Sequence, residues 1–146
     1  MGKKMKGKHL DIIYRFGKDV VVQARDMTIR GSLSILDGTA NAPRYKDMLK
    51  KMEELAFSKE QKEYMLSLVI NSIDGAINNL IWMMEENNDK YAFVAKCADG
   101  TQFDIEQKSD GLCMGQWEFI DEFSKYNTAD EFLETGELEK VRNKSE

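Results

Sequence analysis

The sequence predicts an α+β fold, mainly helical, with a long central helix and a small antiparallel β-hairpin. Three observations predict it. Ser58 and Gln61 are spaced as an S-x-x-Q capping box, which opens a helix by satisfying two free amides of its first turn. The apolar residues that follow recur with a helical period to about Glu86. After Asn87-Asn88-Asp89, residues 91 to 106 alternate around Ala98-Asp99-Gly100, a turn signal between two short strands.

Ahead of the long helix, Leu10, Ile13, Tyr14, Phe16, Val20, Val21, Ala24 and Met27 fall within less than half of a helical wheel, so residues 9 to about 29 read as an amphipathic helix. Val20-Val21-Val22 is also strand-like in composition. Gly31 and Asp37-Gly38-Thr39 break the pattern. Pro43 opens a second helix to about Ala56, since proline is tolerated in a first turn.

On the long helix the arc holding Met65, Leu66, Val69, Ile70, Ile73, Ala76, Ile77, Leu80, Ile81, Met83 and Met84 is the expected core face. Ser67, Asp74, Asn78 and Glu85 form the strip expected to be wet. A second apolar stripe, Tyr64, Leu68, Gly75 and Trp82, gives two coverings to choose between. Either the N-terminal helix packs there through Ile13, Phe16, Val20 and Met27, or the stripe is a homodimer seam. The first is preferred, and with it a monomer, because a domain this small needs its apolar surface for its own core.

The hairpin register follows from its two faces. A two-residue Asp99-Gly100 loop would mix polar and apolar on both. A three-residue loop with Gly100 left-handed sets Ala95 opposite Phe103 and Phe93 opposite Ile105, an apolar face that packs on the long helix. Beyond a Ser109-Asp110-Gly111 turn, Met114, Trp117, Ile120 and Phe123 predict a short helix with an acidic outer side. Thr128 and Glu131 form a second capping box, and the helix they start stops near Gly136.

The 146 residues are the length of one average domain, 42% hydrophobic and 32% charged, so the whole chain, 1–146, is expected to fold as one unit. Lys3, Lys4, Lys6 and Lys8 make residues 1–8 a basic terminus expected to be flexible, and the polar 140–146 are expected to fray. Net charge is −5, and the acids concentrate late. Glu118, Asp121, Glu122, Asp130, Glu131, Glu134, Glu137 and Glu139 are opposed over that stretch by Lys125 alone. Such a field repels a phosphate backbone and attracts a basic partner. Cys97 and Cys113 lack metal or disulfide spacing and no apolar run has the length of a leader or a membrane span, so a reduced, cytoplasmic setting is expected.

The chain lacks the signatures of a P-loop, a dinucleotide fold, a serine hydrolase elbow, a zinc protease helix or a calcium loop. His9, the only histidine, has no neighbouring nucleophile. No catalytic residue, cofactor or metal ion is expected. The alternative of an enzyme would centre on Cys113 and Asp110, and that of a DNA-linked regulator on the N-terminal lysines.

From Ser58 to Tyr126, about half the chain, the segments SKEQKEYMLSLVINSIDGAINNLIWMMEEN and SDGLCMGQWEFIDEFSKYN resemble those of small, uncharacterised bacterial proteins. Proteins of that kind are similar to the acidic immunity proteins of bacterial toxin systems. The resemblance implies a binding role: an acidic surface, with Trp117, Asp121, Glu122, Asp130 and Glu131 as partner-binding residues, covering a basic toxin. A regulatory or protein-interaction module is the alternative.

Overall fold

The computed structural model describes residues 8–105, 107 and 112–141. In chain order the elements are α1 (Lys8–Asp19), a π-helical segment (Val20–Asp26), α2 (Met27–Leu36), a 3-10 turn (Pro43–Tyr45), α3 (Lys46–Leu55), α4 (Lys59–Glu86), β1 (Val94–Lys96), β2 (Gln102–Asp104), α5 (Leu112–Phe123) and α6 (Ala129–Thr135). The expected mainly helical α+β architecture is the one observed. The chain divides into two compact units. One holds the residues up to Val21 and Gly75–Phe123, the other Val22–Asp74 and the residues from Ser124.

α4 is the 28-residue helix the capping box announces. The Ser58 N–H donates to Gln61 Oε1 at 2.8 Å, and the Gln61 N–H donates to Ser58 Oγ at 3.2 Å. Its inward face differs from the expected arc. Ser67 and Asp74, placed on the wet strip by the wheel, are buried, while Leu80 and Met83, placed in the core, are exposed. At 100° per residue the buried set Leu66, Ser67, Ile70, Asp74 and Ile81 is rotated by roughly 70° from the predicted centre. An apolar wheel cannot foresee this, because the rotation brings in a carboxylate that serves a buried arginine.

In the first unit, Ile13, Ile81, Ala95 and Ile105 form a buried cluster, with Phe16, Ile77, Phe93, Phe103 and Phe119 packed against it. The hairpin has the predicted register: Ala95 pairs Phe103, Lys96 pairs Gln102, and the Ile105 N–H donates to the Phe93 carbonyl at 2.8 Å. Gly100, at φ 82°, takes the left-handed position that lets three residues close the loop. Ile13 and Phe16 of α1 face this hairpin cluster, so they are not the seam on the second stripe of α4 that was expected of them. Trp82 is 56% exposed and Leu68 65%, and the ground for expecting a monomer falls with that covering.

α1 and α5 approach closely at Gly17. A Cβ there would sit 2.5 Å from a ring carbon of Phe119, well inside contact distance. Gly17→Ala is therefore expected to cost about 1–3 kcal/mol by overpacking, against about 1 kcal/mol gained in helix propensity. A lowered melting temperature checks this, and a raised one contradicts it.

In the second unit, Ile29, Leu36, Leu66, Ile70, Tyr126, Ala129 and Phe132 form the core, with Leu33, Met52, Ile73 and Leu138 against it. Gly31 does not break the helix as predicted, since α2 continues to Leu36. The π-helical segment adds a residue to the turn and shifts the apolar register, so that Val21, Arg25 and Ile29 are buried while Ala24 and Met27 point outward. The capping box at Thr128 and Glu131 is present, and Gly136, at φ 71°, ends α6 as predicted. Residue 140, expected to fray, is held instead. The Lys140 N–H donates to the Lys125 carbonyl at 2.9 Å, and Asn127 N–H to the Leu138 carbonyl at 2.9 Å. The lysine-rich residues 1–7, the Ser109-Asp110-Gly111 turn and residues 142–146 lie outside the described residues.

Candidate functional site

The partner-binding residues expected from sequence fall in both units, and each unit presents its own group. In the first, α5 buries Gln116 and Ile120 and half-buries Phe119 and Phe123. Helical spacing then puts Trp117, Glu118, Asp121 and Glu122 on the outward face, all exposed. Trp117 thus lies among the acids, not with Ile120 and Phe123 as the apolar spacing predicted, and it is 50% exposed.

One acid of this face, Glu122, meets a partner from α1. The Tyr14 hydroxyl donates to Glu122 Oε1, while the Tyr14 ring stands edge-on to Phe123 with centroids 4.6 Å apart. The Glu122 carboxylate accepting that hydrogen bond holds the Tyr14 hydroxyl above its ordinary pKa, with desolvation adding in the same direction.

In the second unit, Asp130 and Glu131 both sit in the first turn of α6, where negative charge is favoured by the free amides. Glu131 already has local work. Its Oε2 accepts from the Thr128 N–H at 2.8 Å and from Thr128 Oγ1 at 3.0 Å. Asp130 is exposed. Lys125, the lone cation of the acidic stretch, is paired with Glu139 at 2.8 Å, and this partner raises its pKa.

Sequence reasoning missed a buried polar network in the second unit. Arg25 is 0% exposed and Asp74 3%. Arg25 Nε donates to Asp74 Oδ1 at 2.5 Å and its terminal nitrogen to Asp74 Oδ2 at 3.1 Å, a two-pronged pairing. The remaining guanidinium hydrogens reach Ser124 Oγ at 2.6 Å and the carbonyls of Tyr126 and Asn127 at 3.3 and 3.1 Å. Asp26 receives the Ser124 hydroxyl at 2.7 Å and the Lys125 N–H at 2.8 Å. The available signal was an arginine at i+4 from Val21 and i−4 from Ile29, inside an apolar stripe. The one guanidinium is met by two carboxylates, Asp74 and, at 3.4 Å, Asp26, and the network ties the segment from Ser124 to Asn127 to two helices.

A cleft of about 580 Å³ in the second unit has an apolar floor that includes Ile35, Leu49 and Met52. Its rim mixes Lys46, Lys50 and Lys62 with Asp37 and Glu53, so no one charge converges on it. Among the described residues, no three of His, Cys, Asp and Glu gather where they could hold a metal ion. Cys97 is buried. Asp110 and the side chains of His9 and Cys113, on which an enzymatic reading would rest, lie outside the described residues. No described helix is long and apolar enough to cross a membrane.

Compared with protein-family models, with curated proteins and with solved structures, the chain matches none.

Proposed function

We propose that the chain is a non-catalytic binding protein whose acidic surface meets a basic protein partner, and that it serves as an immunity protein covering a cognate basic toxin. What carries the reading is the outward face of α5, where an exposed tryptophan stands among Glu118, Asp121 and Glu122. The acids supply long-range attraction, which raises the encounter rate with a cationic surface. The indole supplies apolar area at the centre of such a contact, where binding energy concentrates. Asp130 on α6 adds to the negative field.

The same field disfavours nucleic acid as a ligand of the folded body, since phosphate would be repelled. Inhibition by covering needs shape and charge from the inhibitor and no reacting group, so the reading calls for no cofactor. On this reading the protein works in the cytoplasm, beside a toxin that would otherwise act there.

Affinity capture on the immobilised chain tests the proposal. At low salt the chain should retain a protein of basic isoelectric point, and raising the salt should release it as the charges are screened. Retention of only neutral or acidic proteins, or binding indifferent to salt, counts against it.

A further inference from the structure

On the outward face of α5, Asp121 lies about 40° around the helix from Trp117, Glu118 about 100° and Glu122 about 140°. Asp121 comes one turn after Trp117, and helical side chains lean back toward the N-terminus, so its carboxylate is carried toward the indole. Trp117, Asp121 and Glu118 are all exposed. Glu122, at the far edge of the face, takes the Tyr14 hydroxyl.

Elsewhere in the chain, aromatic rings have cations of the same molecule over them. Lys18 Nζ stands 6.0 Å from the ring centroid of Phe123, the Arg44 guanidinium carbon 4.7 Å from that of Tyr45, and Lys125 Nζ 5.8 Å from that of Tyr126. Indole attracts a cation more strongly than either kind of ring, yet among the described residues the Trp117 side chain has no cation over it, no stacked ring and no hydrogen-bond partner. An indole with nothing stacked on it, beside a carboxylate, suits one cation above others. A guanidinium is flat, so it can lie on the ring while its N–H edge meets both oxygens of a carboxylate at the ring's margin. An ammonium is a compact, strongly hydrated charge and makes no such fork.

We propose that Trp117 and Asp121 form a station for an arginine side chain of the basic partner, the guanidinium stacked on the indole and forked onto the carboxylate, so that this face selects arginine over lysine. The station rests on the acidic partner surface proposed above and adds which cation that surface reads.

Calorimetric titration of the full chain at low salt tests it with two blocked peptides of the same length and charge, one with arginine at every cationic position and one with lysine. Trp82, the other indole, has Glu86 at the same spacing, so the titrations are made in a Trp82→Gln background, at a position that is exposed. The arginine peptide should bind more tightly by roughly fivefold or more. Trp117→Leu keeps apolar bulk and loses the ring face, and it should bring the ratio of the two affinities to about one. Asp121→Asn, of nearly the same size, should lower the ratio as well, by removing one acceptor of the fork. Both positions are exposed, so an unchanged melting temperature is expected and separates lost recognition from lost folding. Equal affinities for the two peptides overturn the station and leave the acidic surface standing. A preference for arginine that survives Trp117→Leu also overturns it. If neither peptide binds at low salt, the acidic surface itself fails, and the station with it.

Discussion

Replacing Asp74 with alanine should destabilise the fold by about 3–5 kcal/mol, the scale of breaking a buried ion pair by removing one partner. Arg25 would keep its place at 0% exposure but lose the carboxylate that takes two of its hydrogen bonds. Ser124 and the carbonyls of Tyr126 and Asn127 hydrogen-bond the guanidinium without neutralising it, and the one carboxylate left to it, that of Asp26, stands at 3.4 Å. Removing the pair together, as Arg25→Met with Asp74→Leu, should cost less than the sum of the two single changes, since neither partner of the two-pronged pairing is then left without the other, while Asp26 keeps its hydrogen bonds from Ser124 and the Lys125 N–H. Chemical denaturation of the single and double variants measures this. Costs that simply add would mean that the two side chains act independently.

Ile70→Ala should cost about 2–5 kcal/mol, from lost transfer energy and the cavity left behind. Ile70 is fully buried in the cluster with Ile29, Leu66, Tyr126 and Phe132, where no solvent-facing rearrangement can fill the gap. Leu55→Ala serves as the control, because Leu55 is exposed at the end of α3 and should change stability by less than about 0.5 kcal/mol. The same denaturation experiment reads both. Equal effects at the two positions would contradict the assignment of the core.

The features legible in the sequence were those decided locally. A capping box needs only Ser58 and Gln61, or Thr128 and Glu131, three residues apart. The hairpin register needed only the binary pattern of two strands and a glycine able to take a positive φ. The inward face of α4 was not legible, because apolar residues surround that helix and the choice between arcs is made by Arg25, 49 residues away. Arg25 itself was overlooked because charged side chains are rarely fully buried. Trp117 illustrates the same limit on α5. Spacing grouped it with Ile120 and Phe123, yet Gln116 takes the inward position, its amide buried beside Ile120. Of the five residues expected to bind a partner, Trp117, Asp121 and Glu122 come to one face, Asp130 is exposed on α6, and Glu131 is engaged in capping.

Charge reversal on α5 tests the central claim most directly. With the captured basic protein as titrant, Asp121→Lys with Glu122→Lys should weaken binding by roughly tenfold or more at low salt, chiefly through slower association. The deficit should shrink as salt screens the field. Both positions are exposed, so thermal stability should move little beside the change in affinity. An unchanged dissociation constant, in a variant whose melting temperature matches the wild type, would contradict the reading of this face as the partner surface.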